Sequence, residues 1–211
     1  HIIESFSERP KFDDLADYLP FLCAFGEYDF TMGHINALKE KINSENLIDF
    51  DENKIYKFST HYEIILGLIE VYRLTREKDI LDLAVKITDA SIDKFIWRNG
   101  IVSSFHSRWQ LPSLLISFYN YSFVELMLDV YEETQDTKYL EISKKILYDA
   151  VNIPYFQKYN IFPMADYLIF RRSLFYLRPP HTSFMGKNSS ILFGMIKYAE
   201  LTNDIVIKES A

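Results

Sequence analysis

The chain is poor in the residues that characterise several specialised protein classes. It has one cysteine, Cys23, among 211 residues, so it has neither a disulfide framework nor a cysteine metal cluster. Six glycines and seven prolines leave little room for disordered linkers. The formal charge is −7 and basic runs are absent, which argues against a nucleic-acid partner.

Long apolar runs are also absent. No stretch reaches the roughly 18 to 20 apolar residues that a membrane-spanning helix requires, and no signal peptide is visible. The sequence therefore predicts a cytoplasmic protein without membrane contact. It begins at His1 rather than methionine, which leaves a tag remnant and a longer parent protein open as alternatives.

The common local motifs of metal and cofactor sites are missing as well. There is no His-Glu-x-x-His, no Gly-x-Ser-x-Gly and no Gly-x-Gly-x-x-Gly pattern. Gly186-Lys187 has the last part of a P-loop, but His181 stands where its first glycine is required. The five histidines are dispersed along the chain. We therefore expect neither a cofactor nor a bound metal.

What the chain does contain is apolar and aromatic residues in quantity. Hydrophobic residues make up 48% of the chain and aromatic residues 16%. A chain of this length and composition can bury a large core, so we expect one domain over residues 1–211.

A short phrase occurs three times and predicts the architecture. It reads Val71–Thr75, Val130–Thr134 and Tyr198–Thr202, at spacings of 59 and 68 residues, and each copy ends an apolar helix-like run. Such spacings are longer than the roughly 33 or 34 residues of ankyrin and tetratricopeptide repeats. The pattern predicts an all-α fold of repeated helical hairpins with long connecting loops.

Helical periodicity and turn residues place four hairpins along the chain. The Asn99-Gly100 turn and β-prone residues after it predict a short β hairpin or irregular loop over 97–119. The predicted hairpins are 14–42, with Pro20 near the start of the first helix and a second helix from about Gly33; the pair around 64–95; 121–134 with 138–151; and a fourth from about Ser189.

The segment Tyr131–Leu140 contains a helix end, a short charged turn and a Tyr-Leu pair that opens the next helix. This segment resembles the repeating unit of the (α/α) toroid, or six-hairpin glycosidase-like, superfamily. The resemblance covers about three quarters of the chain. It implies carbohydrate chemistry, since the superfamily includes glycoside hydrolases, glucuronyl hydrolases, polysaccharide lyases and sugar epimerases. A full toroid has six hairpins, and this chain has room for about four, so the predicted barrel is incomplete.

The repeat also predicts where a site lies. Fourteen residues before Thr75, Thr134 and Thr202 stand polar residues at the beginning of each first helix. The same count from the degenerate first turn at Glu27 reaches Asp13, which stands beside Asp14 and Asp17. We name this set the helix-start cluster: Asp13, Asp14, Asp17, His61, Asn120 and Asn188. In a toroid these helix starts converge, and their N-termini favour an anionic ligand.

Two interpretations of the helix-start cluster remain open. Asn and Asp are preferred N-caps and occur at helix starts without any ligand. Three carboxylates within five positions exceed what one cap needs, and a pair such as Asp13 and Asp17 suits acid–base catalysis. We rank Asp17 first. Ser59-Thr60 can cap the next helix, which would leave the imidazole of His61 free as a second catalytic candidate.

Two loops add candidates for substrate contact. His106 is a third catalytic candidate, Arg108 suits a carboxylate, and Trp109 suits stacking on a sugar ring. An aromatic loop anchor with a solvated arginine explains these residues equally well. Farther along the chain, His181 and Lys187 stand beside the fourth hairpin and can contact an acidic sugar.

The sequence thus predicts a carbohydrate-active enzyme, a hydrolase, lyase or epimerase, for a small or oligomeric saccharide with or without an acidic group. The alternative is a non-catalytic helical-repeat scaffold that binds a peptide or protein. The short count of hairpins leaves a homo-oligomer or a completing partner chain open.

Overall fold

The computed structural model describes residues 12–49, 56–103, 105–106, 115–117, 121–162, 165–167 and 185–211, of which 12–17, 105–106, 115–117, 165–167 and 185–190 are described by their backbone. The described residues are mainly helical. The helices are α1 (Phe12–Ala24), α2 (Tyr28–Lys39), α3 (Phe58–Thr75), α4 (Lys78–Phe95), α5 (Phe123–Thr134), α6 (Lys138–Val151), α7 (Pro154–Tyr159), α8 (Met185–Thr202) and α9 (Ile205–Ser210).

The chain divides into two compact units, residues 1–91 and 92–211, and the division falls near the end of α4. In the first unit, α1 packs against both α2 and α3. In the second unit, α5 packs against α6 and α8, and α8 packs against α9. None of the helices in the described part of the chain combines the length and the apolar character that crossing a bilayer needs.

The repeated phrase is a helix-terminating device. In each copy the threonine hydroxyl donates to the carbonyl four residues earlier, at 2.9, 2.7 and 2.8 Å for Thr75, Thr134 and Thr202. The same hydroxyl oxygen accepts a hydrogen bond from the backbone N–H two residues later. The intervening residue takes the left-handed conformation, with φ between 57° and 59°. This arrangement stops the helix and turns the chain into the next one.

Two first helices, α3 and α5, are more deeply buried than the second helices that follow them, α4 and α6. Buried residues of α3 surround its axis, and α5 buries Phe123, Val124 and three consecutive residues, 126–128. In α6 the buried residues recur every three or four positions, as expected for a helix with one solvated face. The core of each unit is therefore centred on these first helices.

Short β segments occupy the connections: β1 (Tyr56–Lys57), β2 (Phe105–His106), β3 (Leu115–Ser117) and β4 (Ala165–Tyr167). Strands β3 and β4 pair antiparallel, with Leu115 opposite Tyr167. After α4, a bridge between Ile96 and Val102 closes a tight turn through Gly100. Gly100 has a φ of +91°, a conformation that favours glycine.

The predicted all-α hairpin pattern is confirmed, and the α5–α6 pair lies within two residues of its predicted bounds. Three boundaries differ. Helix α2 begins at Tyr28 rather than near Gly33, and Pro20 lies inside α1 rather than near its start. Helix α8 begins at Met185, four residues before the predicted start. The short helix α7 was not predicted, although Pro154 at its first position is a known start signal.

Candidate functional site

The acidic members of the helix-start cluster lie on one helix of the first unit. Asp13 and Asp14 stand in the first turn of α1, and Asp17 follows one turn later. The helix begins at Phe12, so none of the three precedes the first helical residue, where an N-cap stands. Carboxylates inside a first turn interact favourably with the positive end of the helix dipole. Helix α1 packs against α3, whose first turn carries His61.

The imidazole of His61 is held from two sides. Its Nδ1 lies 2.8 Å from the carbonyl oxygen of Lys57, and its Nε2 accepts a hydrogen bond from the backbone N–H of Ile48 at 3.0 Å. Because an N–H must point at Nε2, the ring proton sits on Nδ1 and is donated to Lys57. The ring of Tyr56 meets the imidazole edge-on, with centroids 6.4 Å apart.

Burial controls the protonation of His61. The side chain has no exposed surface, and removal from water lowers its pKa from 6.5 to about 4. The Lys57 carbonyl and the charge of Asp49 act in the opposite direction and raise it, but burial outweighs them. His61 is therefore neutral at pH 7, and protonation at Nε2 would break its bond to Ile48.

These contacts correct one expectation about His61. Ser59 and Thr60 do not cap α3, because its N-cap residue is Lys57 and no side chain caps it. The imidazole is thus not left free to face a ligand. Instead it joins the start of α3 to the loop that precedes the β1 strand. In this structure His61 is a positioning residue for that loop.

The same loop is held by a second polar side chain, Asn43. Its Oδ1 accepts hydrogen bonds from the backbone N–H groups of Glu45 and Leu47, at 2.9 and 3.1 Å. Its Nδ2 donates to the hydroxyl of Tyr56 at 2.9 Å. Asn43 and His61 together fix residues 43–48 against the beginning of α3.

In the second unit, Lys187 and Asn188 lie in the first turn of α8, which packs against α5. Asn188 is inside the helix and not at its N-cap position. His106 lies in β2. Four predicted contact residues, Arg108, Trp109, Asn120 and His181, lie outside the described residues.

A half-buried acidic group that the sequence analysis missed lies in the first turn of α5. Burial raises the pKa of Glu125, the charge of Asp129 one turn later raises it further, and Lys197 on α8 lowers it. The count back from Thr134 passes over this residue to reach Asn120. Only the packing of α8 on α5, which removes Glu125 from water and brings Lys197 near, distinguishes it from other surface glutamates.

Two further features describe the surroundings. A surface pocket of about 460 Å³ in the first unit is lined by Lys39, Ile42, Asn43, Asp79, Asp82, Leu83 and Lys86. None of these residues belongs to the helix-start cluster. Among the described side chains, no three histidine, cysteine, aspartate or glutamate groups lie close enough together to hold a metal ion.

In sequence, neither a protein-family model nor a curated protein matches the chain. In structure, it is similar to sugar-converting enzymes. It matches a cellobiose 2-epimerase from Bacillus thermoamylovorans (TM-score 0.70, 14% identity) over 95% of this chain and 55% of that one. It matches a sugar epimerase from a ruminal bacterium (0.70, 15%) over 94% and 56%. It matches a glycoside hydrolase family 76 α-mannanase from Bacteroides thetaiotaomicron (0.65, 15%) over 95% and 55%.

These likenesses show the fold. The chain has the helical-hairpin fold of the (α/α) toroid structures that it matches, as the resemblance in the sequence implied. It spans only a little over half the length of the structures that it matches.

Proposed function

We propose that this chain acts on a saccharide by general acid–base chemistry, as a hydrolase, lyase or epimerase. The single observation that carries the proposal is the structural likeness over 94–95% of the chain to enzymes whose known substrates are sugars. Hydrolysis, elimination and epimerisation all require positioned acids and bases, so the acidic helix-start residues support the same conclusion.

Asp17 and His106 are the proposed acid–base residues. Asp17 is one of three acidic residues in the first two turns of α1, and carboxyl groups at helix-turn spacing suit acid–base chemistry. His106 is the second candidate because histidine is the side chain used most often as a general acid or base. His61, whose ring nitrogens are both engaged, positions the neighbouring loop and takes no proton in the reaction.

The remaining candidates define the expected ligand. Trp109 provides a stacking surface for a sugar ring, and Arg108 and Lys187 pair with an acidic substituent. Asp13, Asp14, Asn120, His181 and Asn188 supply hydrogen bonds to hydroxyl groups. Because helix N-termini favour anions, we expect a uronic acid to bind better than the corresponding neutral sugar.

A ligand screen tests the proposal directly. The chain is melted with mannose, cellobiose, α-mannobiose, glucuronic acid and an unsaturated glucuronyl disaccharide. A ligand at about one hundred times its dissociation constant adds about 2.7 kcal/mol of stability, which corresponds to roughly 5 to 10 °C in a domain of this size. Any ligand found is then incubated with the chain, and NMR distinguishes a cleaved, eliminated or epimerised product.

Matched variants separate binding from catalysis. We expect Trp109→Ala and Arg108→Ala to abolish the thermal shift, and Asp17→Asn to keep binding but lose at least about a hundredfold in turnover. Glu209→Gln, a change on the exposed face of α9, serves as the control and leaves both unchanged. A chain that no saccharide stabilises, or whose turnover survives Asp17→Asn and His106→Gln, contradicts the proposal.

A non-catalytic scaffold is the second candidate function. Exposed aromatic side chains favour it, notably Phe21 and Phe25 in the first unit and Phe193 in the second. A protein partner that binds stably while every saccharide fails in the screen would select this alternative.

A further inference from the structure

The α5–α8 contact in the second unit shows how the first helix of one hairpin packs against the first helix of the next hairpin. A methyl group added at Gly194 of α8 would lie 3.3 Å from both the backbone nitrogen of Glu125 and a methyl carbon of Val124 on α5. One turn later, Nζ of Lys197 lies 2.8 Å from Asp129 and 2.7 Å from Glu132. The helix that covers α5 therefore has two features: a small residue, Gly194, where it lies against the α5 backbone, and a lysine, Lys197, that pairs with two acidic side chains of α5.

The repeat gives each residue on this covered face of α5 an equivalent residue on α8. Thr134 and Thr202 end the two helices and lie 68 residues apart, so Leu128 corresponds to Ile196 and Glu132 to Glu200. Leu128 has no exposed surface, whereas the side chain of Ile196 is 45% exposed. At the position of the half-buried Glu125, α8 carries Phe193, which is 60% exposed.

The charge on this face is also left uncompensated. Glu132 receives the ammonium group of Lys197, but within the described part of the chain no lysine or arginine pairs with Glu200. Lys197 is itself occupied by its two acids on α5; their hydrogen bonds and charges raise its pKa against the lowering effect of burial. Glu200 is thus the group available to a cation from outside.

We propose that the face of α8 formed by Phe193, Ile196 and Glu200 binds an amphipathic helix of a partner chain, packed as α8 packs on α5. That helix carries a small residue opposite Phe193 and Ile196 and, one turn later, a basic residue that reaches Glu200. A second copy of this chain would have to present α8 as this helix, and its Lys197 is already engaged. The surface therefore accepts a different hairpin of the same kind. The inference concerns this face alone and is independent of the proposed saccharide chemistry.

The probe for this surface is a synthetic peptide of residues 185–211, which supplies Gly194 and an unengaged Lys197 on one helix. Binding of the labelled peptide to the intact chain is followed by fluorescence anisotropy. We expect saturable binding that Phe193→Asp or Ile196→Asp in the intact chain weakens by at least about tenfold. Both side chains are exposed, so we expect both variants to melt near the temperature of the unmodified chain. Tyr159→Asp, at a half-exposed aromatic residue on α7, is the control and keeps full affinity.

A charge exchange tests the predicted register. Glu200→Lys in the intact chain should weaken the peptide about fivefold, and a peptide with Lys197→Glu should recover that loss on the Glu200→Lys chain. Absence of peptide binding, or binding that none of the α8 variants changes, overturns the proposal. So does sedimentation analysis that shows the chain alone forming a dimer which Phe193→Asp dissociates, because a second copy then occupies the surface. Loss of saccharide turnover leaves this result unaffected.

Discussion

The backbone N–H of Ile48 donates a hydrogen bond to Nε2 of His61 across 3.0 Å, in an environment without solvent. This contact requires a neutral imidazole. The opposite nitrogen, Nδ1, is occupied by the carbonyl of Lys57 at 2.8 Å. The relationship links the protonation of one side chain to the attachment of a loop, and it gives the stability of the chain a defined pH dependence.

We predict that the free energy of unfolding falls as the pH is lowered from 6.5 to about 4. The folded pKa of His61, about 4, lies below the ordinary value of 6.5, so between these values the unfolded chain binds the additional proton. The contribution of neutral His61 is complete above pH 6.5 and is lost progressively down to about pH 4. The pKa difference corresponds to roughly 3 kcal/mol. Urea unfolding at a series of pH values measures it.

The His61→Gln variant provides the comparison. Glutamine does not titrate, so the stability difference between the unmodified chain and the variant should shrink as the pH falls. His34→Gln, at a half-buried histidine on α2, is the matched control and should leave the pH dependence in place. A stability difference for His61→Gln that stays constant across this pH range would show that His61 is not buried in its neutral form.

The helix-terminating threonines give a second prediction. Thr134→Val keeps the shape of the side chain but removes the hydroxyl that bonds the carbonyl of Val130 and the N–H of Asp136. We expect it to destabilise the chain by about 1 kcal/mol, because the end of α5 loses two hydrogen bonds. Thr134→Ser, which retains the hydroxyl, should cost less. Denaturant unfolding measures both, and equal losses would indicate that packing of the methyl group dominates.

A third prediction compares two glycines in the left-handed region. Gly26 and Gly100 have φ values of +85° and +91°, so alanine strains the backbone at either position. A methyl group at Gly100 would also clash with the carbonyl oxygen of Lys145, whereas nothing lies within 4 Å at Gly26. We expect Gly26→Ala to cost about 1 kcal/mol and Gly100→Ala about 3 kcal/mol or more. Similar losses in thermal unfolding would refute the close approach of α6 to this turn.

The charge network of α5 and α8 gives a fourth prediction. Nζ of Lys197 bonds Asp129, and their side chains are only 25% and 13% exposed. We expect a double-mutant cycle of Lys197→Met and Asp129→Asn to give a coupling free energy of about 1 kcal/mol. Added salt should reduce it only in part, since partly buried pairs are weakly screened. A coupling of zero in low salt would mean that the two groups contribute independently.

Much of the fold follows from local interactions and could be predicted from the sequence. The ends of α3, α5 and α8 depend on a threonine whose hydroxyl bonds its own helix and the backbone N–H two residues later, so the signal is contained in a short segment. The apolar periodicity of α4 and α6 is local as well. The sequence pattern places the start of α2 five residues too late, because its N-cap residue, Glu27, makes no side-chain capping hydrogen bond that the sequence could show.

The candidate site is different, since its properties depend on residues that folding brings together. Sequence alone determined the helix ends, and from them it predicts polar groups at the starts of the first helices, at a fixed spacing from the repeated turn. Only the tertiary structure decided that His61 is neutral and fully bonded, because Ile48 reaches it from a separate loop. Packing of α8 on α5 likewise decided the surroundings of Glu125 and left Phe193 and Ile196 exposed. Burial and long-range contacts set pKa values and binding surfaces. The local pattern of the sequence does not determine which residues are buried or which distant residues meet.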